Sequence, residues 1–153
     1  MTRKRLLVAV AALIGVMIGL GGFTFVYARG FSYLTNDPEA CANCHIMDEH
    51  YAAWRKSSHH TVAVCNDCHA PHDFAGKYWT KARNGFWHSF YFTTGRFPDP
   101  LRITPGNREI TEQACRYCHA AITEMIDHTS NARGADERLR CVRCHRHVGH
   151  WVR

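Results

Sequence analysis

The chain opens with a long unbroken run of apolar residues and never returns to one. Leu6 to Tyr27, 22 residues, carry no charge. As a helix rising about 1.5 Å per residue, such a block spans the roughly 30 Å hydrocarbon core of a bilayer. Arg3, Lys4 and Arg5 stand immediately before it. By the positive-inside rule this sets the N-terminus in the cytoplasm and the remainder on the outer, periplasmic side. Tyr27 suits the outer interface. A cleaved signal peptide would carry an apolar region of only about 7–15 residues closing on a small-x-small site. This block is longer and ends Tyr27-Ala28-Arg29, so residues 1–28 read as an uncleaved signal-anchor helix in the cytoplasmic membrane. Ala11, Gly15 and Gly19 recur every fourth residue. Such a stripe permits close helix approach, and it is also what ordinary glycine content in a membrane helix produces.

Beyond the anchor, residues 29–153 predict short helices joined by turns. Asp37-Pro38 has the form of a cap followed by a first-turn proline. Asp73 can cap a helix running towards Phe92, with Gly95 just past its end. Thr94 to Asn107 holds Pro98, Pro100, Pro105, Gly95 and Gly106, the composition of a loop. No stretch alternates convincingly enough for a strand. Along the helix after Asp73, Lys77, Lys81, Asn84 and His88 share one face, and Trp79, Phe86 and Phe90 the opposite one. Two roles fit this amphipathic segment: aromatics covering cofactor edges while the polar face meets water, or a polar face turned to a substrate near the membrane.

Composition changes the picture. The chain holds 8 Cys and 12 His, and its apolar periodicity after the anchor is sparse, so cofactors are expected to do the packing. All eight cysteines fall in Cys-x-x-Cys-His units: Cys41/Cys44/His45, Cys65/Cys68/His69, Cys115/Cys118/His119 and Cys141/Cys144/His145. Each unit attaches a haem through two thioethers and offers its histidine to the iron. Zinc would need a regular set of second-half ligands, and none is evident. Four covalent haem c groups are the expectation, and no cysteine remains for a disulfide. The motifs start at 41, 65, 115 and 141, which reads as a duplicated two-haem unit with inserted material between. The fold class expected is mostly α: one transmembrane helix plus a small domain of short helices around four haems. The formal charge of +6 does not indicate nucleic-acid binding, because about eight haem propionates offset it.

Axial ligation needs more than the motif histidines. Eight others are available: His50, His59, His60, His72, His88, His128, His147 and His150. Met47 lies two residues after His45, too close in sequence to reach the far side of the same ring. It competes for the same face or packs there as a gap-filler.

Taken together, Cys41-Ala-Asn-Cys44-His45-Ile-Met47, His60, Cys65-Asn-Asp-Cys68-His69-Ala-Pro71-His72 and Lys81 resemble the NapC/NirT family of membrane-anchored quinol dehydrogenases. The final motif followed by His150 resembles the short four-haem form, the small subunit of cytochrome c nitrite reductases. The resemblance implies that Met47 rather than His45 ligates haem 1. It pairs His69 with His150 on haem 2 and His119 with His60 on haem 3. His145 serves haem 4, whose far ligand can come from a partner subunit. Lys81 matches a quinol-site lysine. His88 stands where such proteins carry an acidic residue, so it is either a distal ligand of haem 1 or the quinol-site replacement for that carboxylate. The implied function is oxidation of membrane quinol, menaquinol above all, with electrons passed to a periplasmic pentahaem nitrite reductase in a hetero-oligomer. The alternatives are a dehydrogenase feeding a nitrate or N-oxide reductase, and an anchored shuttle with no quinol site.

Overall fold

The structure is a computed structural model that describes the backbone at residues 2–130 and 139–151, with side chains described to 127 and from 139. The chain divides into two units, Met1–Ser32 and Tyr33–Arg153.

The first unit is one helix, α1 (Arg3–Tyr27), followed by a 3₁₀ turn at Gly30–Leu34 that reaches into the second. The helix begins three residues before the apolar block, because Arg and Lys are good helix formers. Its window mean hydropathy is 2.5 and none of it is buried. It is long and apolar enough to cross a membrane. A Cβ added at Gly15 or Gly19 would meet nothing within 4 Å among the described residues.

The second unit is helical throughout, with no strand among the described residues. It comprises α2 (Pro38–Cys41), a 3₁₀ turn at His45–Met47, α3 (Asp48–Trp54), α4 (Cys65–His69), α5 (Phe74–Thr94), α6 (Pro105–Cys118), α7 (Ala120–Ser130) and α8 (Cys141–Cys144). Local chemistry sets the ends. Asp37 accepts from the Glu39 N–H at 2.9 Å ahead of a proline at N1, and Asp73 accepts from the Gly76 N–H at 2.7 Å. Such side chains satisfy donors that a helix start leaves unpaired. Gly95 closes α5 at φ 66°, a left-handed conformation that glycine adopts without strain. In α4, Asp67 reaches back to the Val64 N–H at 2.9 Å. The expected loop 94–107 ends earlier than its composition indicates. Thr104 accepts from the Asn107 N–H at 3.3 Å, and Pro105 is the first helical residue of α6, where its missing N–H costs nothing.

The core is unlike that of an ordinary domain. Among the described residues the buried ones are Ala70 (2% exposed), Ala114 (5%), Thr80, Lys81 and Glu112; no large aliphatic or aromatic side chain joins them. A domain of this size normally buries Leu, Ile, Val and Phe.

Glu112, only 4% exposed, is an exception with a clear purpose. Its Oε2 accepts from the Cys141 N–H at 2.7 Å and its Oε1 from the Val142 N–H at 3.2 Å. A carboxylate on α6 thus satisfies two first-turn amides of α8, where negative charge is favoured. Glu112→Ala should lower stability by about 1–3 kcal/mol, the cost of leaving buried donors unsatisfied. It should appear as a lower thermal midpoint than that of Glu109→Ala, a substitution at an exposed position on the same helix.

Candidate haem and electron-entry sites

The first attachment motif runs from the end of α2 through a turn to the 3₁₀ segment at His45; the others are each built around one helical turn. These three lie within or across one helix: α4, the end of α6, and α8. Cysteines three apart on a helix share a face, the arrangement two thioethers to one ring require. His119 and His145 cap their helices, donating from backbone N–H to the Cys115 and Cys141 carbonyls at 2.9 Å each.

The motif helices pack in succession. α2 lies against α4, α4 against α6, and α6 against α8. The cysteines report the same order. Cys41 and Cys65 lie close enough to perturb one another, lowering Cys41 to about 7 and raising Cys65. Cys68 lies within electrostatic reach of Cys118, Cys115 of Cys68, and Cys141 of Cys115. Burial is the main cause raising Cys68, Cys115 and Cys141. His72 stacks on Tyr117 with centroids 4.1 Å apart, joining the second motif to the third.

The histidines are arranged in pairs. His69 and His150 lie with ring centroids 6.0 Å apart, nearly parallel at 19°. His50 meets His150 at 5.0 Å. His59 meets His119 edge to face, with centroids 6.1 Å apart and planes at 67°. Two imidazoles on opposite sides of one metal ion, each bonded at about 2 Å, place their ring centres roughly 6 Å apart. His69 presents accessible surface yet sits deep among protein atoms. Burial, then His150 and His50, lower its pKa to about 4, so its nitrogen lone pair is available throughout the neutral range. The resemblance pairs His60 with His119; in the structure the neighbouring His59 is the ring in contact with His119. His60 packs edge-on against Trp54 at 5.0 Å, whose indole donates to the Ala63 carbonyl at 3.1 Å. Two consecutive histidines in a turn compete for one position. We therefore expect that only one of His59→Ala and His60→Ala turns a single haem high-spin in the visible spectrum. The structure favours His59→Ala.

The other expected ligands are more dispersed. His45 is fully exposed and lies 3.6 Å from the Asp48 carboxylate, whereas Met47 is half-buried at the end of the same turn. His145 is exposed, and His147 packs on Trp151 at 5.3 Å. The side chain of His128 lies outside the described residues.

The polar face of α5 turns inward. Lys81 is 7% exposed and donates to the Thr35 carbonyl at 2.7 Å and to Asn36 Oδ1 at 3.1 Å. Asn66, inside the second motif, donates to the same two acceptors at 3.2 and 3.3 Å. Burial and then Lys77 lower the Lys81 pKa, while Cys41 opposes this. Asn84 accepts from Asn107 on α6 at 3.3 Å. His88 Nδ1 lies 3.4 Å from the Tyr33 hydroxyl; burial lowers its pKa although part of the ring stays accessible. The aromatic face is the exposed one, with Trp79 at 72% and Phe86 at 64%. No sequence signal marked Tyr33, Thr35, Asn36 or Glu112, because their partners lie 29 to 55 residues away.

These features define a class. Paired thiols on single turns, imidazoles facing at a metal's span and a domain almost without apolar core fit covalently held haem. The described residues offer no ready cluster of three or more His, Cys, Asp or Glu for a bare metal ion. The chain belongs to the NapC/NirT cytochrome c family, whose N-terminal region matches residues 1–153. It is 37% identical to the cytochrome c-type protein NrfH of Wolinella succinogenes, over 92% of this chain and 84% of that one. It is 29% identical to the cytochrome c nitrite reductase subunit NrfH of Nitratidesulfovibrio vulgaris, over 89% and 80%. Among solved structures it resembles a chain of the cytochrome c nitrite reductase NrfHA complex bound to the HQNO inhibitor. That match has a TM-score of 0.61 and 28% identity, over 92% of this chain and 87% of that one.

Proposed function

We propose that this protein is the membrane-anchored, quinol-oxidising cytochrome subunit of a nitrite reductase complex. It carries four haem c groups, oxidises menaquinol at the outer leaflet and feeds a periplasmic multihaem catalytic subunit that reduces nitrite to ammonium. α1 crosses the cytoplasmic membrane with its N-terminus inside. The observation that carries this reading is the serial packing of α2, α4, α6 and α8. It orders four attachment motifs from an entry end beside Lys81 to an exit end at α8. The likeness to NrfH proteins and to the NrfHA complex supports the choice of partner.

Haem supplies one-electron carriers, so a row of them accepts a quinol's two electrons singly. The protein must manage the two protons. An ammonium at Lys81 has three donors, two committed to Thr35 and Asn36. The third can hold a quinol oxygen and stabilise the anion formed on proton loss. His88 is the base that takes the proton. Met47 would ligate haem 1, His69 and His150 haem 2, and His119 with His59 or His60 haem 3. His145 would ligate haem 4.

The reading is tested by isolating the detergent-solubilised complex. Intact mass of this chain should exceed the polypeptide by four haems, and added menaquinol should drive nitrite to ammonium. A bare-chain mass would overturn the haem assignment. Co-isolation with a nitrate or N-oxide reductase would replace the proposed partner, and failure of quinol to reduce any haem would leave a shuttle without a quinol site.

A further inference from the structure

The segment from Tyr33 to Asn36 touches both Lys81 and His88. Thr35 and Asn36 hold Lys81, and both also bind Asn66 between Cys65 and Cys68. Tyr33 reaches His88. Its approach depends on a particular glycine. A Cβ at Gly85 would come within 3.3 Å of the Tyr33 ring, and Gly85 lies three residues before His88, on the same face of α5. The phenol therefore lies against the bare backbone at Gly85, with its hydroxyl at His88 Nδ1. Burial raises the Tyr33 pKa, so the group stays a neutral phenol.

A phenol oxygen can accept from an imidazole N–H, and a neutral ring with its proton on Nδ1 carries its lone pair on Nε2. With Nδ1 engaged, Nε2 is the nitrogen left to face a substrate. Proton transfer needs that nitrogen within hydrogen-bond reach of the quinol hydroxyl. A free side chain on an exposed face would sample other rotamers.

Resting on the quinol-site reading above, we propose that Tyr33 is a positioning residue for quinol oxidation: it fixes the His88 ring and tautomer so that Nε2 receives the quinol proton. The step balances simply. The quinol O–H bond breaks and an N–H bond forms at Nε2 of a His88 whose Nδ1–H is already donated to the Tyr33 oxygen, leaving an imidazolium and a quinol anion that a haem, the one-electron acceptor, would oxidise; the second proton follows the same route once His88 has released the first to water.

The test is steady-state menaquinol oxidation by the holoprotein in detergent, comparing Tyr33→Phe, His88→Ala and the double variant. Phenylalanine keeps the packing on Gly85 and removes only the hydroxyl. Tyr33→Phe should lower kcat about 10-fold with KM for quinol unchanged, less than the about 10²–10⁴-fold carried by an acid–base group itself. The double variant should be no slower than His88→Ala, because residues acting through one another are not additive. Haem content and dithionite reducibility should be intact. Unchanged kcat in Tyr33→Phe, or a double variant slowed by the product of the single effects, would overturn the proposal. Loss of haem from Tyr33→Phe would overturn it too, by showing a purely structural role. If His88→Ala oxidised quinol normally, the quinol-site reading would fail first, an outcome distinct from an impaired His88→Ala beside a normal Tyr33→Phe.

Discussion

Lys81→Leu should cut quinol oxidation by about 10²-fold, the range for removal of one acid–base or oxyanion-stabilising group. The structure explains why the effect should be kinetic. Lys81 is buried, yet two of its donors go to neutral acceptors, Thr35 O and Asn36 Oδ1. Among the described residues no carboxylate pairs with it, so its charge is available to a developing quinol anion. Leucine fills the volume but supplies neither donor nor charge. Asn66 still binds the same two acceptors, so the segment stays anchored and the haems should remain attached and reducible by dithionite. Stopped-flow reduction by a menaquinol analogue, beside dithionite reduction of the same sample, separates entry from storage. The pH dependence has a definite sign. Burial lowers the His88 pKa, so the neutral, proton-accepting imidazole persists below the ordinary value of about 6.5. Wild-type quinol oxidation should therefore hold as pH falls to 6.5 and decline only at lower pH. Normal turnover of Lys81→Leu would move the entry site off this face of α5.

What was legible in the sequence follows from whether the signal was local. The anchor, the helix from Asp73 to Gly95 and the four attachment motifs were readable because each depends on residues within one or two turns. The end of the 94–107 loop was misplaced by its composition. Pro105 and Gly106 look like turn residues, but Thr104 turns the same dipeptide into a helix start. The amphipathic reading of α5 identified its two faces but not which one turns inward. An ordinary soluble helix buries its aromatics. Here Lys81 is buried while Trp79 and Phe86 are exposed, because the partners of the polar face, at 33–36 and 107, are remote in sequence. The same limit applies to the histidines. The resemblance named His60, while one residue's rotation in a turn decides which ring meets His119 edge to face and which packs on Trp54.

The largest effect should come from removing the second attachment motif. α4 is the link between α2 and α6: its first cysteine contacts Cys41 and its second lies within reach of Cys118. In a linear order nothing bypasses it. The double variant Cys65→Ala/Cys68→Ala should carry three haems by intact mass. The end of the chain beside Cys41 keeps its own cysteines and its Lys81 and His88 neighbours, so quinol should still reduce one haem in a single fast phase. Steady delivery to the catalytic subunit should fall to the level seen without this chain. Loss of a haem also removes packing from a domain whose buried residues are few and small. The control is therefore the matching variant Cys141→Ala/Cys144→Ala at the far end of the order. It should lose delivery equally but keep fast quinol reduction of three haems rather than one. Equal numbers of quinol-reducible haems in the two variants, or nitrite reduction surviving the loss of the second motif, would show a branched arrangement. A difference of one against three follows only if electrons pass through the motifs in chain order.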